Sequence, residues 1–243
     1  MSPIELAIAA TVAFIAGVLN SIAGGGSLIL FPTLVALGLP PVAANVTNSI
    51  AQLPGYLGGV VGSREFYAGQ RQRILRLIVV AIAGGAVGAT LLLVGEPGAF
   101  ELIVPVLVLL ASVLIGVQPL IARGLSTRQA DATGHDPVWL FIAVFGACIY
   151  GGYFGGALGV ILTAVLALGL SHLKLANALK NSLSFATACT TAVVFGLFGP
   201  VDWVVVLWCA PVSIIGGFLG ARIAAKVPTT PLRVVVVVLG VAA

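Results

Sequence analysis

A run of three glycines and one serine near the start of the chain has the composition of an anion-binding helix break. The run is Gly24-Gly25-Gly26-Ser27, and Asn20 stands shortly before it. Each glycine costs about 1 kcal/mol relative to alanine inside a helix, so the run predicts an interruption. An interruption frees backbone N–H groups, which attract an anion together with the positive end of the next helix. Close helix packing through glycine is the alternative, and we favour the binding site.

A shorter glycine pair predicts a second break in the other half of the chain. The pair is Gly155-Gly156, and Tyr150 and Tyr153 precede it. Tyrosine hydroxyls could donate to a ligand here, or the rings could pack as ordinary aromatic side chains. The sequence leaves both interpretations open.

Polar side chains follow each break at helical spacing. Asn48, Gln52 and Tyr56 are spaced so that they share one helical face. The corresponding stripe in the second half comprises Asn177, Asn181, Ser184, Thr187 and Thr191. The substrate-binding candidates on and beside these two stripes are Thr47, Asn48, Ser49, Gln52, Tyr56, Asn177, Asn181 and Ser182. Hydrogen bonding between helices explains any single member equally well, whereas two stripes beside two breaks favour a substrate path.

Lys180 adds a basic side chain to the second stripe. It lies about one and a half helical turns into a segment that begins near Leu175. Its amino group either snorkels to the cytoplasmic surface or is the fixed positive charge that an anionic substrate meets. The sequence alone does not separate these two interpretations.

These features occur twice because the chain contains an internal duplication. The matching motifs are Ala36-Leu37-Gly38-Leu39 with Ala167-Leu168-Gly169-Leu170, Asn48-Ser49 with Asn181-Ser182, and Gly84-Gly85-Ala86-Val87-Gly88-Ala89 with Gly216-Gly217-Phe218-Leu219-Gly220-Ala221. A doubled set of helix breaks beside polar residues is typical of a binding site between two transporter repeats. For the glycines of the last motif pair, we favour close helix packing over a binding role.

The composition places the chain in a lipid bilayer. Charged residues make up 7% and hydrophobic residues 60% of the chain, and the mean hydropathy is +1.21. Globular proteins contain about a quarter charged residues. The net charge of +4 comes from arginines clustered at segment ends. That clustering is a membrane topology signal and indicates no nucleic-acid partner.

Hydropathy and helix breakers predict an all-α polytopic protein with about eight to ten transmembrane or re-entrant helices. The predicted segments are 4–23, 27–38, 42–63, 76–95, 102–122, 137–155, 157–171, 175–199, 203–221 and 231–243. We expect a first repeat at 1–122, a cytoplasmic linker at 123–136 and a second repeat at 137–243, with about five segments in each repeat. The first segment has no basic region before it and is interpreted as a membrane helix rather than a removed signal.

The basic loops are predicted to be cytoplasmic, which places both termini outside. Five crossings per repeat make the second repeat inverted relative to the first. If the short second segment of each repeat only enters and returns, the number of crossings falls to eight and the argument for inversion weakens. The sequence does not establish an oligomeric state, and a homo-oligomer stays open.

Catalytic and cofactor motifs are missing from the sequence. It has no Gly-x-Ser-x-Gly, His-Glu-x-x-His or P-loop pattern, and its two histidines are His135 and His172. Three cysteines, Cys148, Cys189 and Cys209, lie in apolar stretches and are expected to be buried thiols rather than metal ligands. We therefore predict no enzyme activity, no metal and no cofactor. The spans contain no carboxylate away from their ends, so uniport and exchange stay open beside proton coupling.

The two halves together resemble the TauE/SafE family of sulfite and sulfonate exporters. The resemblance covers nearly the whole chain and rests on Gly17 to Ser27, Pro32, Ala44 to Ser49, Ala176 to Asn181 and Gly216 to Arg222. It implies a multi-pass permease of the plasma or inner membrane that moves sulfite, sulfoacetate or related organosulfur anions.

The second half departs from the family pattern. Its glycine cluster is less complete, and Thr163 stands where the first half has Pro32. We therefore expect the second break to be less open than the first.

The sequence as a whole predicts a secondary transporter that carries a small sulfur-containing oxyanion by alternating access. As a hypothesis, the glycine breaks supply backbone donors, Asn48, Gln52, Asn181 and Ser182 bind the oxygens, and Lys180 balances charge. Three alternatives stay open: transport of another small organic anion, a channel, and a membrane scaffold that transports nothing.

Overall fold

The computed structural model describes residues 1–22, 24–125, 136–170 and 173–224. Within those ranges the chain forms nine α-helices and one short 3-10 helix, Arg64–Tyr67, and no β-strand. The all-α prediction is therefore confirmed. The predicted tenth segment, 231–243, lies outside the described residues, and so does most of the predicted linker.

Each described helix corresponds to one of the predicted segments. The helices are α1 (Pro3–Ile22), α2 (Ser27–Ala36), α3 (Pro41–Gly62), α4 (Arg71–Val94), α5 (Pro97–Leu125), α6 (Val138–Tyr153), α7 (Leu158–Gly169), α8 (Leu173–Phe198) and α9 (Trp203–Ala224). Their boundaries follow the glycine, proline and charged residues that divide the apolar runs. The division into repeats at 1–122 and 137–243 stays a prediction.

The helices differ in length. Four of the described helices are long and apolar enough to cross a membrane: Pro3–Ile22, Arg71–Val94, Leu175–Phe198 and Trp203–Arg222. By contrast, α2 has 10 residues and α7 has 12. At 1.5 Å per residue these helices span about 15 and 18 Å, roughly half of a hydrocarbon core of about 30 Å. The structure confirms a polytopic helical membrane protein, while the number of crossings stays a prediction.

The two halves pack through a reciprocal set of helix contacts. In one set, α9 packs against α1 and α3; in the other, α4 packs against α6 and α8. Exchanging α1 with α6, α3 with α8 and α4 with α9 converts one set into the other. The central α3 and α8 also contact each other. This pattern is what an internal duplication predicts, while the inverted orientation of the repeats is still an expectation.

Glycines allow these helices to approach closely. Gly216 and Gly220 of α9 lie against Phe14 and Val18 of α1, and Gly84 and Gly88 of α4 lie against Phe145 and Ile149 of α6. A Cβ at any of these glycines would collide with backbone atoms of the neighbouring helix. The structure therefore confirms helix packing for this motif pair.

Polarity is distributed as in a membrane protein, with polar side chains inside and apolar ones outside. Asn45, Thr47, Asn48 and Gln52 are fully buried. Large apolar side chains are exposed on the outside of the bundle, including Ile4, Val79, Leu102, Val138 and Leu207. A bilayer covers such an apolar surface, and the polar interior then requires a structural or a functional explanation.

Candidate substrate site

The first helix break separates α1, which ends at Ile22, from α2, which begins at Ser27. The side chain of Asn20 closes this break, because its Oδ1 accepts a hydrogen bond from the Gly26 N–H at 2.7 Å. The Gly24 N–H donates to the Leu19 carbonyl at 3.0 Å. In this conformation the protein itself therefore uses two of the backbone donors that the sequence analysis assigned to an anion.

Gly24 is required at the first break by both conformation and space. Its φ is +85°, and a Cβ there would lie 2.5 Å from the Cα of Gly159 in the first turn of α7. The first break of one half thus packs directly against the short helix of the other half.

The second break is as long as the first, and the expectation that it is less open stays a prediction. Helix α6 ends at Tyr153 and α7 begins at Leu158, so four residues separate these helices, as in the first break. Gly155 has φ +77°, and Ala157 has φ +57°. Ala157 thus adopts the left-handed conformation, which costs about 1–2 kcal/mol for an L-residue, whereas Gly26 at the corresponding position of the first break is right-handed, with φ −61°.

The side chain of Lys180 reaches the first break from α8. It is only 1% exposed, so the snorkelling interpretation is wrong. Its Nζ donates to the carbonyl oxygens of Asn20 and Ser21, each at 3.3 Å. These carbonyls belong to the last turn of α1, where a positive charge is favourable to the helix dipole. Whether Lys180 also balances the charge of a substrate stays a prediction.

Asn45 holds the second break in the reciprocal way. It lies on α3 in the first half, and its Nδ2 donates to the Tyr153 carbonyl at the end of α6, at 2.9 Å. Each break is therefore held by a side chain from the long central helix of the opposite half.

A cavity lies between the two halves and borders both breaks. Its walls are formed by Ser27, Ser49, Gln52 and Tyr56 from the first half and by Gly151, Gly155, Leu158, Ser184, Thr187, Ala188 and Thr191 from the second. The space between the lining atoms is about 290 Å³, a figure that includes the open side of the cavity. Among these lining residues none is charged, and the polar groups are hydroxyls and one amide.

Three buried polar atoms on this wall make no hydrogen bond to the described part of the chain. They are Gln52 Nε2, Ser184 Oγ and Thr187 Oγ1, although the weakly donating thiol of Cys148 faces Thr187. A buried polar atom without a partner costs about 1–3 kcal/mol, so such atoms are rare in native proteins and require an explanation. A polar ligand in the cavity would supply the missing partners.

Five of the residues predicted to bind substrate border the cavity. They are Ser27, Ser49, Gln52, Tyr56 and Gly155. Asn20 lies directly behind this wall, since its Nδ2 donates to Gln52 Oε1 at 3.1 Å.

Several of the other predicted residues bind protein groups away from the cavity. Asn181 Nδ2 donates to Ser63 Oγ at 2.9 Å and to the Gly59 carbonyl at 3.3 Å. Ser182 hydrogen-bonds the side chain of Tyr67. Burial raises the pKa of Tyr67, so that its hydroxyl stays protonated and donates to the Ala178 carbonyl.

Thr47 and Asn48 lie outside the cavity wall. Thr47 Oγ1 accepts a hydrogen bond from the Asp202 N–H at 3.0 Å. Asn48 is fully buried, and both polar atoms of its amide lack a partner among the described residues. Asn177, near the start of α8, is half-buried and is not part of the wall either.

The tyrosines and the remaining glycines at the breaks take part in packing. Tyr150 and Phe154 stack edge to face at 6.2 Å, and Tyr153 packs on Phe100 at 5.7 Å. The Tyr150 hydroxyl also donates to a carbonyl of α5. Gly156 lies against Leu28 and Phe154, and the carbonyl of Gly25 accepts the Leu28 N–H at 3.1 Å. A ligand role for these residues stays a prediction.

Six wall residues were not among the predicted binding residues: Gly151, Leu158, Ser184, Thr187, Ala188 and Thr191. The sequence analysis had placed Ser184 and the two threonines on the second polar stripe, because their spacing puts them on one face of α8, but it had not assigned them to substrate binding. Gly151, Leu158 and Ala188 are apolar and carried no chemical signal.

Membrane-spanning helices, two broken helices and a polar cavity between two similar halves define a transport protein. The chain belongs to the sulfite exporter TauE/SafE family, whose family model matches residues 9–243. This finding confirms the resemblance in the sequence, and the protein is a multi-pass transporter of the plasma membrane.

Curated relatives carry names of the same class. The chain is 28% identical to the "Probable membrane transporter protein YfcA" of Escherichia coli K12, over 93% of this chain and 81% of the relative. It is 29% identical to a "Probable membrane transporter protein" of Haemophilus influenzae, over 96% of this chain and 91% of the relative. A third relative, "Probable membrane transporter protein ORF9" of Sinorhizobium sp, is 28% identical over 88% of this chain and 79% of its own length.

Proposed function

We propose that this protein is a secondary transporter of small sulfur-containing oxyanions, such as sulfite, sulfoacetate or other C2 sulfonates. The observation that carries the proposal is that Gln52, Ser184 and Thr187, from both halves, line one cavity, and each has a buried polar atom without a hydrogen-bond partner among the described residues other than the weakly donating Cys148 thiol beside Thr187. The name of the family points to the same class of cargo.

The chemistry of the wall suits an oxyanion. Sulfite and sulfonate oxygens are hydrogen-bond acceptors, and an amide NH2 group and two hydroxyls can donate to them. These donors are uncharged, so they bind the anion without an ion pair that would retain it and slow its release. A sulfonate has no proton to lose at neutral pH, so discrimination from carboxylates depends on tetrahedral geometry and the number of donors.

We propose alternating access as the mechanism. The cavity lies where the two halves meet, and each break is held from the opposite half by Lys180 or Asn45. Relative motion of two inverted repeats, 1–122 and 137–243, would open the cavity first to one side and then to the other. Asn48, with its unpartnered buried amide, is retained as a ligand for a conformation other than this one, and Asn181 and Ser182 as candidates that would first leave their protein partners.

Transport rather than catalysis is the proposal, with no metal or cofactor expected. Transport of another small organic anion is the nearest alternative, and a scaffold that transports nothing is the alternative from another class. The unpartnered polar atoms favour transport, because a scaffold gains nothing from burying donors that bind no group of the protein.

Uptake by proteoliposomes tests this proposal. Entry of radiolabelled sulfite and of a radiolabelled C2 sulfonate is measured with wild type, Gln52→Leu, the exposed control Gln72→Leu and empty liposomes. Saturable uptake by wild type and the control, lost in folded Gln52→Leu, supports a carrier with its site at the cavity. Uptake no faster than in empty liposomes, for every anion and with or without a pH gradient, contradicts it. Conductance that does not saturate identifies a channel instead.

A further inference from the structure

We infer that Asn20 is a positioning residue that makes the cavity selective for anions by turning the NH2 group of Gln52, and not its carbonyl, toward the ligand. For the identity of the ligand this inference rests on the proposed function, but the orientation of the amide follows from hydrogen bonds within the protein. Three groups in series fix that orientation: the Gly26 N–H, the Asn20 amide and the Gln52 amide.

The Gly26 N–H fixes the orientation of the Asn20 amide. A backbone N–H can only donate, and the Gly26 N–H lies 2.7 Å from Asn20 Oδ1. If the Asn20 amide were turned around, its NH2 group would face this N–H, and two donors would oppose each other without an acceptor. The carbonyl oxygen of the Asn20 side chain must therefore face Gly26, and its Nδ2 must face the other way.

The Asn20 amide in turn fixes the orientation of the Gln52 amide. Asn20 Nδ2 donates to Gln52 Oε1 at 3.1 Å. Both side chains are buried, at 2% and 0% exposure, so water does not replace either bond. With Oε1 held by Asn20, the Nε2 atom of Gln52 is the end that remains without a partner on the cavity wall.

The third step concerns what the cavity accepts. The hydroxyls of Ser184 and Thr187 can rotate to donate or to accept, so they suit a cation-binding or an anion-binding cavity equally well. The Gln52 NH2 group, in contrast, can only donate. Asn20 therefore decides the polarity of the one wall group that cannot adapt, even though it does not border the cavity itself.

Lys180 supports the same arrangement from behind. Its Nζ lies 3.3 Å from the backbone carbonyl of Asn20 and 3.3 Å from that of Ser21. It thereby holds the last turn of α1, which carries the Asn20 side chain.

Two substitutions reverse the polarity without changing the size of a side chain. In Asn20→Asp, the new carboxylate accepts the Gly26 N–H but has no donor for Gln52 Oε1, so the Gln52 amide turns and presents its carbonyl to the cavity. In Gln52→Glu, one carboxylate oxygen accepts from Asn20 and the other faces the cavity. Either change replaces a donor by an acceptor. Gln72→Glu, on the exposed start of α4, adds the same charge away from the cavity.

Two measurements then separate the inference from the proposed cargo. Crystals soaked in bromide are examined by anomalous scattering, and KM and kcat for sulfite uptake are determined in proteoliposomes. We expect a bromide peak within hydrogen-bonding distance of Gln52 Nε2 in wild type and Gln72→Glu, and no such peak in Asn20→Asp or Gln52→Glu. We expect the KM for sulfite to rise about tenfold or more in both cavity variants, since a charge-assisted hydrogen bond is lost.

The outcomes are distinct. A bromide peak at Gln52 in wild type without sulfite transport contradicts the proposed cargo and supports the inference. Wild-type crystals without bromide at Gln52, or an Asn20→Asp protein that retains the peak and the wild-type KM, overturn the inference even if sulfite is transported. If Asn20→Asp does not fold, Gln52→Glu, which leaves the bond between Asn20 and Gly26 intact, tests whether the NH2 group of Gln52 binds the anion, and a retained bromide peak there overturns the inference.

Discussion

The two helix breaks are alike in length and in the way they are held, but they differ in charge and in crowding. At the first break, the amino group of Lys180 binds two carbonyls of α1; at the second, the neutral amide of Asn45 binds one carbonyl of α6. Gly24 is pressed against Gly159, whereas Gly155 borders the cavity. The glycine-rich break is thus mainly a structural joint between the halves, and the break with fewer glycines is the one whose glycine borders the cavity.

The largest expected difference between the two breaks is in the stability lost on substituting alanine for Gly24 or for Gly155. Both residues have positive φ, so alanine costs about 1–2 kcal/mol at either position. A Cβ at Gly24 would also collide with backbone atoms of Gly159 and Val160, whereas at Gly155 the nearest atom, Ser49 Oγ, is 3.5 Å away. We expect Gly24→Ala to destabilise the protein by about 4 kcal/mol or to prevent folding, and Gly155→Ala by about 1–2 kcal/mol.

Thermal unfolding in detergent, followed by circular dichroism, measures both effects. Gly98→Ala on α5, where a Cβ meets nothing within 4 Å, is the control for adding a methyl group. Equal losses in melting temperature for the two break variants would contradict the assignment of the first break as the crowded joint.

Substitution of the two holding side chains tests the difference in charge. Lys180→Met leaves two buried carbonyls without this donor, and hydrogen bonds to charged groups contribute about 1.5–3 kcal/mol. Asn45→Leu removes one neutral bond, and it also removes the buried Asn45 Oδ1, which has no partner among the described residues. We therefore expect a loss of about 3 kcal/mol for Lys180→Met and about 1 kcal/mol or less for Asn45→Leu.

The melting temperatures of these two variants, measured under identical conditions, provide the check. An Asn45→Leu protein that is less stable than Lys180→Met would show that the second break, and not the first, carries more of the bonding between the halves.

Ser184 and Ser213 provide a smaller contrast between a cavity residue and a structural one. Ser184 Oγ has no partner in the described chain, whereas Ser213 Oγ donates to the Ala51 carbonyl at 2.8 Å. We expect Ser184→Ala to leave stability unchanged or raise it by up to about 1 kcal/mol, and to raise the KM for sulfite about fivefold. Ser213→Ala should lose about 1 kcal/mol of stability and keep the wild-type KM. A Ser184→Ala protein with lower stability and wild-type KM would remove Ser184 from the site.

Much of the fold could be predicted from the sequence because its signals are local. Glycine, proline and charged residues mark the ends of apolar runs. The end of α1 at Ile22 and the start of α2 at Ser27 were therefore predicted to within a residue or two. Pairing of the halves through glycine motifs was also predictable, because small residues at four-residue spacing leave room for a neighbouring helix.

The site could be predicted only in part, because its geometry depends on contacts between distant residues. Asn48 and Gln52 share a face of α3, yet only Gln52 borders the cavity, since crossing helices bring a few positions of a face together. The sequence leaves the position of Lys180 undetermined between surface and interior, because its partners lie 160 and 159 residues away. Ala157 carries no signal of its left-handed conformation, which the surrounding structure imposes on it.

Because the chain is synthesised from its N-terminus, the hydrogen bonds of Lys180 form late in folding. Helix α1 leaves the ribosome first, but the donor for its last carbonyls is on α8, and buried carbonyls without a donor are costly in lipid. We expect the last turn of α1 to remain without its final packing in the translocon until α8 has entered the membrane. Cysteine crosslinking between the last turn of α1 and the turn of α8 that carries Lys180, with Asn20 and Lys180 themselves unchanged, in nascent chains arrested before and after α8 has entered the membrane, would detect this docking step.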